Sequence, residues 1–104
     1  MIHINTTEEF DNIIENNNLV VVDFTATWCG PCKRIGPYFD SLSQEFTNVT
    51  FVKVDVDENE ELVSRYDVNC MPTFIFIRNK DKVDGMSGAD EEQLKQMIVN
   101  NMNM

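Results

Sequence analysis

Two cysteines separated by two residues are the part of this sequence with the clearest chemical potential. The segment Cys29-Gly30-Pro31-Cys32 stands where an apolar run ends and an amphipathic segment begins. At the start of a helix, cysteines three positions apart share one face and can close a disulfide. A ring this short stabilises a fold by only about 2 kcal/mol, against about 3 kcal/mol for a 15-residue loop. The spacing therefore favours a reversible redox pair over a structural crosslink.

The two thiols are expected to differ in reactivity. Cys29 comes first, at the helix end where unpaired amides and the helix dipole favour negative charge, so its thiolate should be the more acidic and the more accessible. We predict that Cys29 is the nucleophile and that Cys32, one turn into the helix, attacks the resulting mixed disulfide. Two alternatives stay open. The pair could be inert, or it could be half of a zinc site, for which the rest of the chain offers only Cys70 and His3.

An acidic residue interrupts the most apolar segment of the chain. Asp23 lies six residues before Cys29, and in a buried strand its charged form would be poorly solvated, so its proton would be held more tightly than in water. Such an acid below a thiol pair can relay protons. The alternative is an aspartate at a strand edge that faces water. Lys53, on a second apolar segment, would partner Asp23 if the two strands pair, and would otherwise lie on a solvated face.

A third region of interest, Cys70-Met71-Pro72-Thr73, opens another strand. Proline at this place removes one hydrogen-bond donor from the sheet, and the peptide bond before it is either trans or, as a specialised feature, cis. Trp28 and Met71 could together form an exposed apolar rim on which protein substrates dock. Taken singly, each of these two side chains would instead be assigned to the core.

Hydrophobic periodicity predicts an alternation of helices and strands along the chain. Strands are predicted at residues 19–24, 49–56, 73–78 and 82–87, with a further short strand at 2–4. Helices are predicted after Thr6, after Gly30, in the acidic segment 57–61 and from Asp90, and residues 100–104 are expected to fray. This order implies a mixed sheet with helices on both faces, and hence an α/β fold.

Length and charge restrict the classes of function. The 104 residues, 42% of them hydrophobic, suffice for one domain over residues 1–104 and leave no room for a second. Eighteen acidic and eight basic residues give a formal net charge of −10, a field that repels nucleic acids and anionic membranes. No apolar run exceeds four residues, far below the roughly 18 that a membrane-spanning helix needs. Because residues 1–5 do not read as a secretory signal, the expected location is the cytoplasm.

Taken together, these motifs resemble the thioredoxin family, and in particular its small cytosolic, animal-type members. Residues 20–33 look like the family's signature almost residue for residue. The segments 51–57, 70–74 and 85–89 match later landmarks of the family in the same order. The resemblance covers most of residues 19–89 and is highly specific.

The resemblance implies a fold and a set of functional residues. The fold is the thioredoxin fold, a central mixed five-stranded sheet flanked by four helices, with a cis peptide bond before Pro72. Cys29 would attack target disulfides and Cys32 would resolve them, while Asp23 assists proton transfer with Lys53 nearby. The residues that would bind substrate, by the same resemblance, are Trp28, Gly30, Pro31, Met71, Pro72 and Gly88.

Partners and location follow from the same resemblance. The chain would reduce disulfides of other proteins, with peroxiredoxin-like and ribonucleotide-reductase-like proteins as expected substrates. A thioredoxin reductase that draws on NADPH would then reduce it again, so the chain itself would bind no cofactor and no metal. We expect a cytoplasmic monomer, with the nucleus as a further location. Cys70, which like Thr25 and Met71 resembles animal-type members, would be a regulatory thiol or link a dimer, unless it is a spectator.

Two other functions compete with disulfide reduction. An oxidant or isomerase of the secretory pathway would use the same chemistry, but the sequence has neither a signal peptide nor a retention tail to support it. A redox-dependent binding module, whose dithiol state controls its affinity for a partner, belongs to a different class. Sustained turnover distinguishes a reductase from such a module.

Overall fold

The computed structural model describes residues 1–104 as five strands and four helices, which we number in chain order. The strands are β1 (Ile2–His3), β2 (Leu19–Thr25), β3 (Thr50–Asp55), β4 (Thr73–Arg78) and β5 (Asp81–Ser87). The helices are α1 (Thr7–Asn16), α2 (Gly30–Glu45), α3 (Glu60–Arg65) and α4 (Glu91–Met102). None of these helices is both long enough and apolar enough to cross a membrane.

The five strands form one mixed sheet in the order β1-β3-β2-β4-β5. β2 is parallel to β3, which in turn is parallel to β1. Parallel neighbours need a long crossover connection, which α2 provides between β2 and β3. β4 runs antiparallel to β2, and β5 returns antiparallel to β4. The predicted mixed five-stranded sheet with four helices is confirmed.

β2 lies in the middle of the sheet and is buried on both faces, so its side chains alternate between two cores. Val20 and Val22 belong to the core on the side of α1 and α3. Val21 belongs to the core on the side of α2 and α4. Burial of each such side chain contributes roughly 1.5–3 kcal/mol. The same alternation places Asp23 on the face covered by α2, the helix that carries both cysteines.

Capping side chains start the first and last helices, as the sequence predicts. The Thr6 hydroxyl accepts a hydrogen bond from the amide of Glu9 at 3.1 Å, which satisfies a donor that α1 leaves free. The Asp90 carboxylate accepts in the same way from the amide of Gln93 at 3.0 Å. Both helices therefore begin where local chemistry alone places them.

Several predicted boundaries differ from the observed ones by one to three residues. α3 begins at Glu60, within the acidic segment 57–61 in which its start is predicted, and Asp55 accepts the Asp57 amide and holds the residues before it in a turn. β5 begins at Asp81, since Asn79 and Lys80 adopt left-handed φ of 53° and 74° and close a two-residue turn.

The end of α4 shows the largest of these differences. Residues 100–104 were expected to fray, yet α4 continues to Met102. Asn101 is buried, and its side-chain amide donates to the Asp84 carboxylate at 3.0 Å and to the Met97 carbonyl at 2.8 Å. Its own carbonyl accepts from the Arg78 guanidinium. These bonds attach the last turn to the β4–β5 hairpin, which local sequence does not reveal.

Candidate active site

The cysteine pair lies where β2 ends and α2 begins. Cys29 is the N-cap of α2 and Cys32 lies in its first turn, beside Pro31, where a missing amide hydrogen costs no helical hydrogen bond. The two cysteines are disulfide-bonded, with their Cα atoms 5.3 Å apart. α2 starts at Gly30, which meets no other atom within 4 Å of where a Cβ would lie. The structure therefore brings the predicted redox pair together in its oxidised state.

The Cys29 sulfur lies in surroundings that favour negative charge. The amide of Cys32 points at it, with 3.2 Å between nitrogen and sulfur. This amide is one of the donors that a helix N-terminus leaves unpaired, and the helix dipole acts in the same direction. Cys29 is 6% exposed and Cys32 is 3% exposed. Both sulfurs are thus nearly covered, and the surrounding side chains control access to them.

Trp28 forms an exposed wall beside the cysteines. Its side chain is 65% exposed, so assigning it to the core would be wrong. The indole Nε1 donates a hydrogen bond to the Asp57 carboxylate, with 2.8 Å between nitrogen and oxygen. A groove of about 420 Å³ lies between Trp28, the apolar side chains of Val56 and Val63, and Met71. An apolar groove next to a buried disulfide is suited to hold part of a protein chain.

The loop before β4 closes the other side of the disulfide. The Met71–Pro72 peptide bond is cis, as the resemblance implied. The Met71 carbonyl oxygen lies 3.8 Å from the Cys29 sulfur, and the half-buried Met71 side chain packs against both cysteines. Gly88 has a φ of +100°, and its amide donates to the Pro72 carbonyl at 2.9 Å. The loop before β4 therefore lies against the sulfur pair, and Gly88, directly after β5, is bonded to that loop.

Asp23 lies in the interior and not at a solvated strand edge. It is 1% exposed, and its Oδ1 atom has no hydrogen-bond partner. Burial raises the pKa of this carboxyl from 3.8 to about 7, while Lys53 opposes the rise and Asp40 adds to it. A carboxyl with a pKa near neutrality can both accept and return a proton at physiological pH.

Lys53 is the direct neighbour of Asp23 on the parallel strand β3. Its ammonium nitrogen, however, lies 2.9 Å from the Asp40 carboxylate on α2. A cavity of about 640 Å³ is lined by Lys53 and Asp40 together with Gly36 and Cys32. The sequence predicted that Lys53 would partner Asp23 if the strands paired. The strands do pair, but the ion pair joins Lys53 to a different carboxylate.

Cys70 lies outside this cluster. Its thiol is free and exposed, and its sulfur is 4.0 Å from the Thr73 hydroxyl. It lines a separate groove of about 410 Å³ near Lys82 and Met86. A role for Cys70 as a regulatory or dimer-linking thiol stays a prediction. Nowhere does a group of three or more His, Cys, Asp or Glu side chains lie close enough together to hold a metal ion.

Sequence reasoning missed two acids at this site, Asp57 and Asp40. Asp57 follows β3 as Trp28 follows β2, and adjacent parallel strands bring such residues to the same edge of the sheet. Asp40 stands four residues after Gly36, itself four after Cys32, so the three share one helix face. These two spacings are the features of the sequence from which Asp57 and Asp40 could have been assigned to the site.

Comparison with known proteins agrees with the geometry. The thioredoxin family model matches residues 1–100. A thioredoxin of Ictalurus punctatus is 50% identical over 102 residues, which cover 94% of this chain and 95% of the relative. Human thioredoxin is 52% identical over 82 residues, which cover 79% of this chain and 78% of the relative.

Solved structures show the same relationship. The structure of Plasmodium falciparum thioredoxin superposes with a TM-score of 0.94 at 44% identity, covering 96% of this chain and 98% of that one. A chain from a study of thiol resolution in a yeast mitochondrial 1-Cys peroxiredoxin superposes with a TM-score of 0.91 at 35% identity, covering 96% and 94%. With its disulfide-bonded Cys29-Gly30-Pro31-Cys32 motif, the chain belongs to the thioredoxin family and is a protein dithiol-disulfide oxidoreductase.

Proposed function

We propose that this chain is a general reductant of protein disulfides in the cytoplasm, and that a thioredoxin reductase using NADPH regenerates its dithiol. Substrates of the peroxiredoxin and ribonucleotide reductase classes fit this role. The observation that carries the proposal is the position of the Cys29 sulfur, at the N-terminus of α2 with the Cys32 amide 3.2 Å away. A sulfur placed in this way is ionised more readily than that of a free cysteine.

In the first step, the Cys29 thiolate attacks one sulfur of the substrate disulfide. A mixed disulfide forms between Cys29 and the substrate, and the other substrate sulfur leaves as a thiolate that takes a proton from water. Trp28 and Met71, which both line the groove next to the disulfide, hold the substrate segment there. This placement aligns the attacking and leaving sulfurs.

In the second step, Cys32 releases the substrate. Its thiol gives a proton to the Asp23 carboxylate, and the thiolate so formed attacks the Cys29 sulfur and expels the second substrate thiolate. The products are the Cys29–Cys32 disulfide and two substrate thiols, so two electrons pass from the chain to the substrate. Asp23 then returns its proton, which a pKa near 7 permits.

Insulin reduction coupled to thioredoxin reductase and NADPH tests this function. The parent chain should sustain NADPH oxidation over many turnovers, and Cys29→Ser should show none. A binding module would bind partners in a redox-dependent manner without sustained turnover, which would contradict the proposal.

Incubation in glutathione buffers tests the direction of the chemistry. In a buffer set to the oxidising glutathione potential of the secretory pathway, the cysteine pair of an oxidant or isomerase would stay reduced. The cysteine pair of a reductant becomes oxidised in the same buffer.

A further inference from the structure

The cavity beside Cys32 is lined by two charged side chains, those of Lys53, the strand neighbour of Asp23, and of Asp40. Lys53 pairs with Asp23 in the parallel register of β2 and β3, so the two side chains leave neighbouring strands on the face covered by α2. The Lys53 side chain is 17% exposed, whereas that of its partner Asp40 is 46% exposed. The inner oxygen of Asp40, which contacts the ammonium, is itself buried. Asp40 therefore reaches inward from the solvent boundary to Lys53.

Gly36 makes room for this arrangement. A Cβ atom at Gly36 would lie 3.8 Å from the Lys53 nitrogen, so the ammonium rests directly over the bare backbone of α2. From there it contacts Asp40, one helical turn further along. A methyl group at this position would only touch the ammonium, whereas a longer side chain would compete for the space that the ammonium fills. On α2, the Lys53 ammonium therefore contacts the Asp40 carboxylate and lies beside Gly36, which has no side chain.

Other charged groups line the same cavity. They are Lys33 of α2, Asp55 of β3 and Glu58 of the following turn, and the imidazole of His3 in β1 lines the cavity with them. Of the residues lining this cavity, Asp40 alone forms an ion pair with Lys53. Its charge and that of Lys53 act on the buried carboxyl in opposite directions. Asp40 therefore offsets part of the effect that Lys53 has on the pKa of Asp23.

We propose that Asp40 is a positioning residue for proton transfer, because its carboxylate holds the Lys53 ammonium at the cavity wall and prevents a permanent ion pair with Asp23. The proposal rests on the proposed role of Asp23 as proton acceptor. An aspartate locked to Lys53 would stay ionised and would be a weak base. With Lys53 held by α2, Asp23 keeps the capacity to take a proton from Cys32 and return it.

Titration of Asp23 by carboxyl carbon NMR on the oxidised full-length chain tests the proposal directly. Asp40→Asn frees Lys53 and removes a negative charge, and both effects favour ionised Asp23. The midpoint should therefore move to lower pH by about half a pH unit or more. The acidic limb of the pH-rate profile for insulin reduction should move in the same direction.

Matched variants separate positioning from a general charge effect. Glu8→Gln removes the same charge from the first turn of α1, on the opposite face of the sheet, and should leave the midpoint unchanged. Asp40→Glu keeps a carboxylate, so its Asp23 midpoint should stay close to that of the parent. In a Lys53→Met background, Asp40→Asn should shift the midpoint by clearly less than in the parent, since no ammonium is left to release.

The proposal is wrong if Asp40→Asn leaves the Asp23 midpoint in place, or moves it equally with and without Lys53. The second outcome would mean that Asp40 acts only through its own charge. Failure of the underlying proton role would look different. In that case Asp23→Asn would reduce insulin as fast as the parent at every pH, whatever the NMR titration shows.

Discussion

The indole nitrogen of Trp28 is hydrogen-bonded to the Asp57 carboxylate across 29 positions of sequence, at 2.8 Å. Trp28 is mostly exposed, so few packing contacts restrain its ring. A second bond orients the acceptor, because the Asp57 amide donates to Asp55 at 2.8 Å. The turn after β3 thereby fixes the wall of the substrate groove.

We therefore expect Asp57→Ala to weaken substrate binding without altering the thiol chemistry. Loss of one hydrogen bond to a charged group at an exposed site should raise the KM for insulin about fivefold, with kcat nearly unchanged. Steady-state kinetics measures both constants, and Trp28 fluorescence anisotropy reports the freed ring. Glu58→Gln, which removes the neighbouring charge, is the control. An equal rise in KM for both variants would assign the effect to charge and not to the bond.

Replacement of Asp23 by asparagine should stabilise the protein above neutral pH. The folded-state pKa is raised to about 7 from an ordinary value of 3.8, so the folded chain binds a proton more tightly than the unfolded chain. The parent should therefore lose stability between about pH 4 and pH 7, and stay level at higher pH. The loss over this range is on the order of 4 kcal/mol.

Urea unfolding of the oxidised protein at pH 5 and pH 8 measures this effect. Asp23→Asn should remove most of the difference between the two pH values, while slowing disulfide exchange near neutrality. Asp81→Asn, at an exposed position that starts β5, should retain the parent's pH dependence. If the parent had the same stability at both pH values, ionisation of the buried Asp23 carboxyl would not destabilise the fold, and the prediction would be wrong.

The Cys32→Ser variant should stop the reaction after the first step, at the mixed disulfide. Cys29 keeps its place as N-cap and can still attack, but the thiol proposed to release the substrate is gone. Mass spectrometry should find a stable covalent adduct between Cys29 and a disulfide-containing peptide. The corresponding Cys29→Ser chain should form none. Adducts formed by Cys29→Ser instead would reverse the two roles.

Removal of the buried amide at Asn101 should destabilise the fold and spare the chemistry. Asn101→Ala leaves the Asp84 carboxylate without its partner and opens space beside the Met97 carbonyl. We expect a loss of about 1–3 kcal/mol in the free energy of unfolding. Asn100→Ala, at the exposed neighbouring position, should cost much less. If both variants unfolded alike, the end of α4 would not be anchored to the hairpin.

Much of the architecture could be predicted because the responsible interactions are local. The helix start at Thr6, the apolar alternation of β2 and the turn at Asn79 each depend on residues within a few positions. The end of α4 could not be predicted in this way, because the residues that hold it are distant in sequence. α4 is longer than predicted because Arg78 and Asp84, on the β4–β5 hairpin, bind Asn101.

The sequence by itself determined the chemistry at the centre of the site. Two cysteines three positions apart at one helix start can close a reversible disulfide, and an aspartate within an apolar strand is poorly solvated wherever that strand is buried. Only the tertiary structure decided which acid holds Lys53 and which acid holds Trp28. Those partners, Asp40 and Asp57, lie on segments far from their contacts along the chain, and only the stacking of α2 on adjacent parallel strands brings them together.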